Sequence, residues 1–184
     1  MTNKKMKLSA ENYVPQMIAK DLRKKAVTGW TVGFSIVFVW VFVILLAPVA
    51  AMNNLQSVAH PIYSFFSNLC HQMPERSFHL DSHAFAVCSR CFGVYFGLLA
   101  GFIGYPFFRS IEETEPLPRF WLFLSLVPIS IDWSLTVFGV WENTHLSRFV
   151  TGMILGVACA VFIIPAIAEL SQLLSRKTAV KKAV

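Results

Sequence analysis

From Ala26 to Pro74 the chain carries no Asp, Glu, Lys or Arg. A soluble domain is about one-quarter charged, so an uncharged run of this length must leave water. One bilayer crossing takes about 20 apolar residues, so the run holds more than one element. Residues 28–52 (TGWTVGFSIVFVWVFVILLAPVAAM) read as a first membrane-spanning helix. Its end, Ala47-Pro48-Val49-Ala50-Ala51, is built like a signal-peptidase site. The apolar run is long and follows a 25-residue head, which favours an uncleaved anchor. The rest of the chain repeats the apolar bias: 55% of 184 residues are hydrophobic and 14% charged, with a mean hydropathy of +0.58. One soluble core of this size cannot hide so much apolar surface. A disordered chain, a coiled coil, a repeat array and a small disulfide scaffold are disfavoured by the same numbers.

Three further apolar stretches follow, at 84–108, 120–140 and 148–169. The expected fold is therefore all-α, a polytopic membrane protein of four transmembrane helices. An N-terminal amphipathic helix on the membrane surface is expected within residues 1–25, with Val14, Met17, Ile18 and Leu22 on one side. Residues 60–70 add a short interfacial helix, with Pro61 at its first position and Ile62, Phe65, Phe66 and Leu69 on its apolar face. In domain terms, 1–27 is a basic head, 28–169 the membrane domain with a Cys/His loop at 53–83, and 170–184 a basic tail. Gly93, Gly97 and Gly101 recur every four residues, as do Gly152, Gly156 and Ala160. These two small-residue stripes are expected to pack the second span against the fourth.

The charges set orientation. Of 16 Lys and Arg, seven fall in residues 4–25 and four in 176–182. Basic ends stay cytoplasmic, and an even number of spans satisfies both. The reading is a multi-pass protein of the cytoplasmic membrane, both termini inside, with the loops 53–83 and 141–147 on the extracytoplasmic side. The clustered charge marks lipid-headgroup contacts rather than a groove for nucleic acid.

With that topology the unusual polar residues gather at one membrane level. Cys88-Ser89-Arg90-Cys91 places two thiols on one helix face, and Cys70-His71 lies in the preceding loop. Cys70, Cys88 and Cys91 with His71 or His83 make a ligand set for zinc, and iron would accept it. Cys159, on the small-residue stripe of the fourth span, reads as packing. Charged residues inside a span are costly and usually pair. Arg90, Arg148 and Asp132 qualify, and an Arg–Asp bridge is the simplest pairing. Two arginines outnumber one aspartate, however, and with Arg76 they offer a site for an anionic substrate, a lipid or a small molecule. Asp132 or His71 would then carry protons, and Tyr95, four residues after Cys91, is a further proton-donor candidate.

The stretches Cys70-His71-Gln72-Met73-Pro74-Glu75-Arg76-Ser77 and Cys88-Ser89-Arg90-Cys91-Phe92-Gly93-Val94-Tyr95-Phe96-Gly97 resemble a family of small prokaryotic membrane proteins classified as a domain of unknown function. The resemblance spans about residues 55–155, takes in Asp132 and Arg148–Gly152, and implies a membrane protein without implying an activity.

Three functional readings remain open at this level. The first is a metal site at the extracytoplasmic face beside anion-binding arginines, in which the metal activates water or polarises a substrate oxygen. The second is a thiol–disulfide or quinone oxidoreductase using Cys88 and Cys91. It lacks the second outer cysteine pair such electron transfer requires. The third is a non-enzymatic membrane module whose metal folds the outer loop.

Overall fold

A computed structural model describes the backbone of residues 16–183 and the side chains of residues 20–174. In chain order it contains α1 (Gln16–Met52), α2 (Gln56–Ser67), a 3-10 turn (Pro74–Arg76), strands β1 (His79–Leu80) and β2 (His83–Ala84), α3 (Ser89–Phe108), α4 (Phe120–Val137) and α5 (His145–Ala183). Among the described residues, four helices are long and apolar enough to cross a membrane, within Lys20–Met52, Ser89–Phe108, Phe120–Val137 and His145–Leu174. The all-α fold with four candidate spans is the one expected.

The element boundaries differ in instructive ways. The expected surface helix lies mostly outside the described residues. From Gln16 onward the chain runs unbroken into the first span, and no proline interrupts it before Pro48. The short helix α2 begins at Gln56, so Pro61 sits inside it rather than at its first position. The expected start of the second span at residue 84 is taken by a hairpin, in which His79 pairs with Ala84 and Leu80 with His83. Its two-residue loop, Asp81-Ser82, has φ of 45° and 70°, the positive values that a tight type I′ turn demands. Helix α3 therefore starts at Ser89, with Cys88 as its N-cap.

Helix α4 stops at Val137 because Gly139 takes φ +67°. The Gly139 N–H then reaches the Thr136 carbonyl, and the Val140 N–H reaches Leu135, which closes the helix in a Schellman turn. Helix α5 starts earlier than expected because Thr144 caps it, its Oγ1 accepting the Ser147 N–H at 3.1 Å.

Helix α5 is the centre of the assembly, packing on α1, α3 and α4. Its most extensive contact is with α3, through the two small-residue stripes. A Cβ on Gly93 or Gly97 would collide with the carbonyl oxygens of Phe149 or Met153. From the other side, a Cβ on Gly152 or Gly156 would strike those of Arg90 or Val94. The two backbones touch, which is what small residues permit in a membrane. Helix α1 is tied to α3 by the Trp30 indole N–H, which donates to the Phe102 carbonyl at 3.1 Å. An apolar cluster lies toward the C-terminal end of α1, where Ile44, Ala47, Phe66, Cys70, Ala86 and Val87 are buried together.

Candidate metal centre and arginine cavity

The cysteines are delivered by three local structures. Helix α2 ends at Ser67, and the Cys70 N–H closes the following turn on the Phe66 carbonyl at 2.9 Å. This drops Cys70 into the apolar cluster beneath α1. Gln72 holds the next turn: its Nε2 donates to the carbonyls of Tyr63 and Ala86, 2.8 Å each. The Tyr63 hydroxyl donates to the Ala84 carbonyl, so α2, the loop, β2 and the segment after the hairpin form one clamp. Cys88 and Cys91 then occupy the N-cap and the first turn of α3.

The outcome is a three-cysteine group. The sulfurs of Cys70, Cys88 and Cys91 all lie within 4.8 Å of one another. The Cys88 backbone N–H donates to the Cys70 sulfur at 3.2 Å. The Cys70 thiol is held well below the usual thiol range by hydrogen bonds from the Cys88 and Cys91 thiols, supported by the backbone N–H groups of Cys88 and Gln72. Burial opposes this and loses. The N-terminus of α3 adds the positive end of a helix dipole, which favours thiolate.

The group opens onto a cavity of about 410 Å³ walled by the Leu69–Met73 loop, the start of α3, the last turns of α4 and the start of α5. Arg76, Arg90 and Arg148 all line it, as does His71. Of the candidate site residues, all but three line this one space. His83 stays in the hairpin, its Nδ1 3.0 Å from the Asp81 carbonyl. Tyr95 packs behind the thiols against Trp40, with ring centroids 5.8 Å apart. Asp132 sits just outside the cavity wall and is saturated by donors. Arg90 Nη2 reaches it at 2.5 Å, Asn143 Nδ2 at 2.8 Å and Ser147 Oγ at 3.0 Å.

In the sequence Asn143 reads as one polar residue of a loop. It is a bridge, donating to Asp132 and accepting from Arg148 Nε at 2.6 Å. No pattern marks it beyond its place just before the Thr144 cap. His145 also has a partner, Ser89 Oγ at 3.1 Å from its Nδ1, and Ser89 in turn donates to the Arg76 carbonyl. Chemically, the arrangement offers three soft ligands, a wall of guanidinium donors and one spare buried N–H, since Arg90 Nε has no partner among the described residues.

Residues 70–162 match the model of a family described as predicted membrane protein (DUF2085). An uncharacterized protein of Methanocaldococcus jannaschii is 36% identical over 132 residues, covering 69% of this chain and 85% of the relative. A second uncharacterized protein, from Methanothermobacter thermautotrophicus, is 36% identical over 96 residues, covering 52% of this chain and 85% of that one. No solved structure matches the chain.

Proposed function

The chain belongs to the DUF2085 family of predicted membrane proteins, and from that premise we propose that it is a membrane metalloprotein with an anion site beside the metal. Cys70, Cys88 and Cys91 hold the ion, zinc in the first place and iron in the second. Arg76, Arg90 and Arg148 bind the anion. The observation that carries this reading is the convergence of three sulfurs, supplied by two segments 18 residues apart, within 4.8 Å. Tetrahedral zinc at about 2.3 Å from each thiolate spaces the sulfurs roughly 3.8 Å apart.

Three protein ligands leave a fourth corner, and a site of that kind takes water or substrate there. His71 is the better placed of the two candidate imidazoles, because it lines the cavity while His83 faces its own hairpin. Three thiolates blunt the Lewis acidity of zinc, so the ion's first task is to fix the loop and present the fourth corner to an anion. If water is activated there, His71 carries the proton. Asp132, already occupied by Arg90, positions that arginine. The basic segments 4–25 and 176–182 support cytoplasmic termini and hence an extracytoplasmic cysteine end.

The test is elemental mass spectrometry with thiol titration on detergent-purified protein. One metal per chain, reduced thiols and loss of the metal in Cys88→Ser are expected. Metal-free protein with a Cys88–Cys91 disulfide that exchanges electrons with a quinone would overturn the proposal in favour of the oxidoreductase reading.

A further inference from the structure

The cavity has an exposed apolar rim as well as its arginines. Among the described residues, helix α4 finds its one substantial packing partner in α5. Beside α3 it is held chiefly by the Arg90–Asp132 bridge. The apolar part of the cavity wall is supplied by α4 and by the Leu69–Met73 loop, while α3 and its cap contribute Cys88, Arg90 and Cys91. Trp133 and Val137 on α4 are 58% and 59% exposed, and Leu69 and Met73 on the loop opposite are 52% and 42% exposed. A small soluble anion has no use for such a rim, whereas a hydrocarbon chain leaving the cavity does.

The floor is cationic in excess. Arg76, Arg90 and Arg148 line the cavity, and among the described residues no carboxylate does. The nearest acid, Asp132, is engaged by Arg90, Asn143 and Ser147. Setting three guanidiniums and a divalent ion against three thiolates and one carboxylate still leaves positive charge. Several guanidinium forks converging on one space suit a tetrahedral oxyanion with multiple acceptor oxygens better than a single-plane carboxylate. The volume of about 410 Å³ lies in the range of small-ligand sites.

We propose that the ligand of this cavity is the phosphate headgroup of a membrane lipid, which enters sideways between α4 and the Leu69–Met73 loop, seats its phosphate on Arg76, Arg90 and Arg148, and leaves its chain along Trp133 and Val137. This rests on the anion-site reading above. The shared chemistry is a phosphate group, and a free phosphate ion is the alternative source.

The experiment is native mass spectrometry of the zinc-loaded protein in detergent, titrated separately with phosphatidic acid, phosphatidylcholine and inorganic phosphate. Zinc occupancy is read in the same spectra. One phosphatidic acid per chain is expected, preferred over phosphatidylcholine. Binding should weaken about tenfold in Arg148→Gln and in Arg76→Gln, and again in Val137→Trp, which fills the mouth, with zinc retained in all three. Inorganic phosphate binding as tightly as the lipid would overturn the lipid assignment and leave the anion site standing. Zinc-loaded protein that binds neither probe would overturn both. Lipid binding indifferent to the arginine and mouth variants would mark unspecific adhesion and sink the inference. Loss of zinc on all preparations would instead fault the metal reading.

Discussion

Arg90 on α3 and Asp132 on α4 meet at 2.5 Å, with side chains 24% and 9% exposed. This ion pair bridges two helices that otherwise share little contact. Removing one partner of such a pair strands a charge in a poorly solvated place, at a cost of roughly 3–5 kcal/mol when burial is complete. The partial exposure of Arg90 places the loss below that range. In a double-mutant cycle on thermal stability, Asp132→Asn and Arg90→Gln should each destabilise. The double variant should lose clearly less than the sum, by about 2 kcal/mol. Strict additivity would mean that the bridge does not hold α4.

The contact between α3 and α5 is tested at its glycines. A Cβ on Gly97 would meet the Met153 carbonyl, whereas one on Gly104 meets nothing within 4 Å. Overpacking of this kind costs about 1–3 kcal/mol. Gly97→Ala should therefore lower the midpoint of thermal unfolding in detergent by several degrees, on the order of 4 °C per kcal/mol. Gly104→Ala, which adds a better helix former at no steric cost, should leave the midpoint unchanged or raise it. Equal effects at both positions would contradict the backbone contact.

These two relationships were also the ones most open to reading from sequence. Glycines every fourth residue state a helix face whatever surrounds them, and Arg90 with Asp132 are rare charges in apolar spans. Harder to read were the places where a few polar atoms choose between local structures. The run Phe85-Ala86-Val87 is as apolar as a helix start. The turn at Asp81-Ser82 gives β2 its partner, and this moves the start of α3 to Ser89. Cys88 thereby becomes a cap rather than a helix-face residue. Thr144 hides in a polar loop until its hydroxyl is seen to accept the Ser147 N–H. Asn143 acquires its role because α4 and α5 bring Asp132 and Arg148 to either side of it, a relation no spacing in the chain announces.

Asn143 is accordingly expected to matter more than a loop residue. Its amide N–H feeds Asp132 and its carbonyl takes the Arg148 Nε proton. Asn143→Ala removes both bonds at once and leaves Arg148 without that anchor. A loss of about 1–3 kcal/mol of stability is expected, with weaker binding of phosphate-bearing ligands and full metal content. Asn143→Asp keeps an acceptor for Arg148 but sets a carboxylate beside Asp132, so it should impair stability while retaining part of the Arg148 geometry. An alanine variant with wild-type stability and binding would assign Asn143 to the loop alone.

Gln72 tests whether the metal group depends on its surroundings as well as on its sulfurs. Its backbone sits in the left-handed region at φ 47°, a conformation that is unfavourable for a non-glycine residue. Two side-chain bonds, to the carbonyls of Tyr63 and Ala86, hold it there. Those bonds bind α2 to the segment leading into α3, and so fix Cys70 opposite Cys88. Outer residues of this kind cost about 10- to 100-fold in metal affinity when lost. Gln72→Ala should therefore weaken zinc binding by that order in a chelator competition, while the count of titratable thiols stays the same. Gln72→Gly relieves the backbone but restores neither bond, so it should resemble Gln72→Ala. If the glycine variant instead recovers full affinity, the loop conformation alone positions Cys70 and the side-chain clamp is dispensable.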